Sequence, residues 1–204
     1  MSDKPQDQEA ESEGLETLLP QVRACRICAE SLPLGPRPVL RAESSARLLI
    51  VGQAPGTKVH ESGVPWNDAS GKRLRSWLDV EPETFYDASR IAIMPMGFCY
   101  PGRFERGGDR PPRPECAPTW HPLLLRALPR LELVLLVGSY AQAYYLGRAR
   151  RATLGETVSA FRDYLPGYFP LPHPSWRNTG WLRRNPWFDT DLLPQLRQRV
   201  HALL

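Results

Sequence analysis

The chain is 204 residues long and carries 26 lysines and arginines against 22 aspartates and glutamates, a formal net charge of +4. That length suits one domain with a sizeable core, and no run of about eighteen apolar residues argues for a membrane span. The opening Met1-Ser2-Asp3-Lys4 followed by acids is not a signal peptide, so the expected location is the cytoplasm.

Charge is unevenly placed. Residues 1–13 hold Asp3, Asp7, Glu9, Glu11 and Glu13 against Lys4, a net of −4, which leaves +8 on the rest. Residues 1–14 are expected to be an acidic, disordered tail, and residues 15–204 a single domain. Lys4, Lys58 and Lys72 are the only lysines; the other 23 basic residues are arginines. Arginine grips phosphate bidentately and stacks on bases, so a basic body points to nucleic acid, although a coding bias also enriches arginine.

In chain order, Leu15 to Ala24 reads as a short helix, followed by Cys25-Arg26-Ile27-Cys28 and a run of proline- and glycine-rich turns. Leu48-Leu49-Ile50-Val51 is a short, branched apolar run of the kind found in buried parallel strands. The turn Gly52-Gln53-Ala54-Pro55-Gly56 follows at its carboxyl end, where open α/β sheets bind ligands. Residues 57–69 read as a loop holding Lys58, His60, Trp66, Asn67 and Asp68. Asp68 or Ser70 then caps a helix through Leu74, Trp77 and Leu78.

Ile91 to Met94 is a second strand, leading into a long loop with Gly97, Cys99, Gly102, Gly107 and Gly108. A helix spans Pro114 to Leu128, Leu133 to Val137 is a third strand, and a helix covers Tyr140 to Leu146. Tyr168 to Leu171 is a fourth strand, and it runs into Pro172-His173-Pro174-Ser175. Asp191 to Leu204 is an amphipathic closing helix. Strands alternating with helices predict a three-layer α/β/α sandwich on a mainly parallel four-stranded sheet. The glycine turn and the histidine loop are expected to face one another across one pocket.

Four cysteines stand at positions 25, 28, 99 and 116. The C-x2-C pair suggests metal rather than disulfides. Zinc and a [4Fe–4S] cluster both accept four thiolates, and spacing alone leaves both open, beside the plain reading of Cys99 and Cys116 as small buried residues.

Taken in order, these pieces resemble the uracil-DNA glycosylase superfamily, in particular its iron–sulfur branches, families 4 and 5. The resemblance covers roughly residues 20–204. The C-x2-C precedes the first strand, GQAPG stands where those families carry a G-x-[GA]-P-G turn, and Gly63-Val64-Pro65-Trp66 where they carry G-x-P-F. Asp68-Ala69-Ser70-Gly71 resembles the D-x-S-G of family 5, Cys99 and Cys116 fall at the third and fourth cluster ligands, His173-Pro174-Ser175 matches the second catalytic motif, and Asn178-Thr179 also resembles family 5. Three positions depart from the pattern. Pro95 replaces the asparagine that reads the uracil edge, Trp66 replaces the stacking phenylalanine, and Ala54 stands where family 1 has an acid.

What the resemblance implies is a DNA glycosylase that flips a damaged base out of DNA and cleaves its N-glycosidic bond. His173 would be the donor to the leaving base, with Asp68 and Gln53 serving the water or the sugar. Trp66 would be the stacking wall, in a base site formed with Gly52, Ala54, Pro55, Gly56, Pro95 and His60. Ser175, Trp176, Arg177 and Asn178 would contact DNA, with Arg183 and Arg184 extending the phosphate track, while Trp181 and Trp187 pack the closing helix. Cys25, Cys28, Cys99 and Cys116 would bind a [4Fe–4S] cluster, with zinc as the alternative, and the protein is expected to be a monomer. The competing expectations are a non-catalytic binder of damaged DNA or other nucleic acid and a zinc-stabilised hydrolase. The latter has no nucleophile in a recognisable elbow.

Overall fold

The structure is a computed structural model and describes residues 14–204. Residues 1–13 of the expected acidic tail lie outside the described residues. The four strands appear where the apolar runs placed them: β1 Leu48–Val51, β2 Ile91–Ile93, β3 Leu133–Val137 and β4 Tyr168–Leu171. All neighbours are parallel, in the order β2-β1-β3-β4. Leu48 pairs with Ile91 on one side and Leu133 on the other, and Val134 pairs with Tyr168.

Helices surround the sheet: α1 Leu15–Ala24, α2 Thr57–Ser62, α3 Ala69–Leu78, α4 Pro82–Phe85, α5 Cys116–Arg126, α6 Ser139–Leu146, α7 Leu154–Ser159, α8 Thr179–Arg184 and α9 Leu193–Leu203. Successive strand residues point to opposite faces, so unbroken apolar strands need cover on both sides. One core holds Leu49, Val51, Ala92 and Leu136 with α1, α5 and α6. The other holds Leu48, Ile50, Leu135 and Phe169 with α3, α4, α7 and α9. This is the expected three-layer α/β/α sandwich. The helix α9 is amphipathic as expected, with Leu193, Leu196 and Val200 inside and Leu203 packed against the same core. The exposed edge of β2 is covered by Arg41, which exchanges two backbone hydrogen bonds with Ile93 at 2.9 and 2.7 Å.

Residues 57–69 are not one loop. Thr57–Ser62 is the helix α2, closed by Gly63 in the left-handed region. The amide donors of its first turn have no side-chain cap, which is why the sequence gives no start signal. Asp68 is the N-cap of α3; its Oδ1 accepts the Gly71 N–H at 2.8 Å.

The strand order places the site. From β1 the chain goes to β2 at one edge and returns to β3 on the other side of β1. At such a reversal the loops leaving β1 and β3 part in opposite directions and open a crevice beyond their carboxyl ends.

Candidate active site

A cavity of about 210 Å³ opens over that crevice. It is smaller than the roughly 300–1,000 Å³ of sites for drug-sized ligands, and so suits a small ring system. Its wall includes Gly52, Gln53, Ala54, Pro55 and Gly56 after β1, Trp66 and Asp68 before α3, Pro95 after β2, and His173, Ser175, Trp176 and Arg177 after β4. The glycine turn and the histidine loop meet as the sequence predicts.

Two glycines seat the tryptophan. A methyl at Gly52 would stand 2.6 Å from Trp66 Cζ2, so the indole lies flush against the turn only because residue 52 lacks a side chain. A methyl at Gly71 would collide with the Trp66 carbonyl. Trp66 itself has φ 58°, a left-handed conformation that is costly for a bulky residue. Its carbonyl accepts from Arg75 Nη1 at 3.3 Å, which fixes that conformation. The indole and the His173 imidazole lie 5.6 Å apart, inclined by 35°.

His173 is held by backbone and side-chain bonds. Gly138, at φ 93°, lies against its Cβ, and the Gly138 N–H and the Gln142 amide both donate to Leu171 O at 2.9 Å. Asn178 Nδ2 donates to the His173 carbonyl at 2.7 Å, and Arg73 Nη1 donates to Ser175 O at 3.1 Å. Burial lowers the His173 pKa below the ordinary histidine value, although Asp68 and Asp109 pull it the other way. The imidazole is therefore neutral at pH 7, a donor without charge.

Pro95 lines the cavity but offers it no N–H. Its carbonyl turns inward and bonds His121 Nε2 at 3.1 Å. His121 is fully buried, its Nδ1 lies 2.7 Å from Tyr145 Oη, and its ring stacks on Phe98 at 5.6 Å. Burial pushes its pKa down to about 4, so Nε2–H donates to Pro95 and Nδ1 accepts from the tyrosine.

Two expected site residues fall elsewhere. His60 is not in a loop; it is buried on α2 beside Tyr100, with ring centroids 5.9 Å apart, and is not among the residues lining the cavity. Its Nδ1 is buried with no hydrogen-bond partner. It sits there because α2 turns that face of the chain inward. Asn178 does not line the cavity either; its amide is committed to the His173 carbonyl, so it positions the histidine loop from beneath. Arg183 and Arg184 are exposed on α8, while Trp181 and Trp187 pack together and against the second core. Sequence reasoning missed Asp109 and Arg103 on the cavity wall, and Arg73, His121 and Gln142 behind it.

Over residues 40–197 the sequence matches the family model described as Uracil DNA glycosylase superfamily. The chain belongs to this superfamily. Membership makes its function glycosylase-like and its partner DNA.

The four cysteines of this superfamily member line a second, smaller cavity with Arg26, Pro36, Phe98, Arg113 and Trp120. The Phe98 N–H donates to Cys116 Sγ at 3.4 Å. Burial pushes the Cys99 thiol up to about 11 and Cys116 up to about 12, each further raised by the neighbouring cysteines. Such crowded thiols become thiolates only beside a compensating cation, so the donor set fits a metal group. Among the described residues, no three His, Cys, Asp or Glu side chains stand close enough to hold a single metal ion. No helix among them is long and apolar enough to cross a membrane.

Proposed function

We propose that this protein excises uracil or a related deaminated base from DNA by hydrolysing the N-glycosidic bond. The observation that carries this reading is a neutral His173 beside Trp66 in one cavity with Asp68 and Gln53. The extruded base stacks on Trp66, an interaction worth about 1–3 kcal/mol per base. The bond from C1′ to the base nitrogen breaks, the electron pair leaves with the base, and the sugar becomes oxocarbenium-like. His173 donates a hydrogen bond to a base carbonyl as that charge develops. A preorganised donor of this kind is worth about 3–4 kcal/mol. Water adds to C1′, and its proton passes to solvent or to the departing base. Asp68 stabilises the sugar cation or orients that water, in addition to capping α3. Pro95 has no side-chain amide, so the Gln53 amide, with a donor and an acceptor like an asparagine, is the group we assign to the base edge. Its Nε2 bonds Arg110 O at 3.4 Å, a weak tether.

We further propose that Cys25, Cys28, Cys99 and Cys116 hold a [4Fe–4S] cluster. What supports this over zinc is the order of the four cysteines, which stand where the iron–sulfur branches carry their cluster ligands; each thiolate would bind a different iron. When bound, the group is a structural tie between the segment after α1 and the loop after β2. Four free thiols suit a reducing compartment, and a cytoplasmic monomer is the form we propose. Anaerobically purified protein is expected to be brown and to contain iron; colourless, zinc-loaded protein overturns the cofactor assignment.

The test of function is a panel of oligonucleotides holding uracil, hypoxanthine or xanthine, single- and double-stranded, scored for alkali-labile abasic sites. Release from at least one is expected, with His173→Ala reducing the rate about 100-fold or more. No release from any at enzyme excess overturns the catalytic reading. It would favour a damaged-DNA binder, for which Pro95 in place of a base-reading side chain is the motivating observation.

A further inference from the structure

The loop after β2 is not a plain connection. Residues 102–110 form a tight hairpin: Arg110 N–H donates to Gly102 O, Phe104 N–H to Gly108 O and Gly107 N–H to Phe104 O, each at 2.9 Å. Arg103 and Asp109 face each other across it. Gly107 and Gly108 both take positive φ, 84° and 98°, which makes the turn possible. The hairpin places Arg103, Gly108 and Asp109 in the cavity wall and Phe104 outside it, with 53% of Phe104 exposed. On the histidine loop Trp176 is 74% exposed. Each exposed ring carries an arginine over it, Arg110 at 5.9 Å from the Phe104 centroid and Arg177 at 5.6 Å from the Trp176 ring. The two loops touch where Arg177 Nη1 packs over Gly108, since a methyl there would lie 3.4 Å from it.

A single exposed aromatic is ordinary on a protein surface. Two aromatic–arginine pairs on adjoining loops at the mouth of one base-sized cavity are a different arrangement. A duplex that loses one base needs one wedge in the gap, and inserting two rings would unstack a second step. An unpaired strand has every base available, and such strands are bound by successive stacking platforms interleaved with cations. Asp109 is neutralised by Arg103, 3.7 Å away, which leaves Arg106, Arg110 and Arg177 against Glu105 on this rim.

We propose that Phe104 and Trp176 are paired platforms for the nucleotides on either side of the extruded one, and that the partner of this site is single-stranded DNA. This rests on the glycosylase reading for the cavity between the platforms, but its test does not depend on base release. Fluorescence anisotropy with an undamaged labelled strand and its duplex measures binding by wild type, Phe104→Ala, Phe104→Tyr and Trp176→Ala. Wild type is expected to prefer the single strand. Phe104→Ala and Trp176→Ala are each expected to weaken single-strand binding by about fivefold or more and to affect the duplex less, whereas Phe104→Tyr keeps wild-type binding. Duplex preference by wild type, or unchanged single-strand binding by Phe104→Ala, overturns the proposal, as does loss of binding in Phe104→Tyr equal to that in Phe104→Ala. Base release without Phe104-dependent binding sinks this proposal alone. Phe104-dependent binding without base release sinks the glycosylase reading and leaves the platforms standing.

Discussion

His121 makes the stability of this fold pH-dependent by a calculable amount. The folded ring is held neutral, with a pKa near 4 against an ordinary value of 6.5. As pH falls through 6.5 the unfolded chain takes up a proton that the folded chain refuses, so stability is lost toward lower pH and the loss ends near pH 4. Between pH 7 and pH 5 the two values give a loss of about 2 kcal/mol from this one group. His121→Phe preserves the ring against Phe98 and removes the titration, but it orphans the Pro95 carbonyl and the Tyr145 hydroxyl. An unsatisfied buried partner costs about 1–3 kcal/mol, so the variant is expected to be at least about 1 kcal/mol less stable at pH 7. Urea titrations at pH 7, 6 and 5 should show that gap shrinking by about 2 kcal/mol, because every other titrating group is common to both proteins. A gap that stays constant across that range refutes the buried neutral histidine.

Three other outcomes follow from the site. Because burial lowers the His173 pKa, its neutral form persists as pH falls through 6.5, and single-turnover base release should stay level from about pH 8 to about pH 6.5; a change in rate that begins above 6.5 and follows a single protonation contradicts that environment. Gly52→Ala puts a methyl 2.6 Å from the Trp66 indole, and the displaced ring should cost about 1–3 kcal/mol of stability and raise KM for the damaged oligonucleotide; an unchanged melting temperature and KM would show that the indole is not seated there. Asn178→Ala frees the His173 carbonyl and should lower kcat for base release with little change in single-strand binding, whereas equal loss of both would make Asn178 a DNA contact after all.

The sheet was legible because its strands are buried on both faces. Such strands must be apolar at every position, as in Leu48 to Val51 and Leu133 to Val137, and no alternation blurs them. The two cavity loops were legible for a related reason: glycine, proline and histidine directly after a strand have few other uses. Helix α2 was hidden because Gly56 caps it without a side chain and Lys58, His60 and Glu61 make it look like surface. His121 and Gln142 gave no local signal, since their partners, Pro95 and Leu171, lie on other elements and meet them only after packing. The exposure of Phe104 was equally invisible, because Gly107 and Gly108 announce a turn but not which side chain it thrusts outward.

Trp66 and His173 come from elements far apart in sequence, and β4, the last of the described strands in chain order, carries the imidazole to its place beside β3. A nascent polypeptide still short of that strand already owns the indole and the glycine turn, yet has no donor to set against them. On the mechanism proposed above, a chain cut short of β4 would hold a stacking wall with nothing to donate to the departing base.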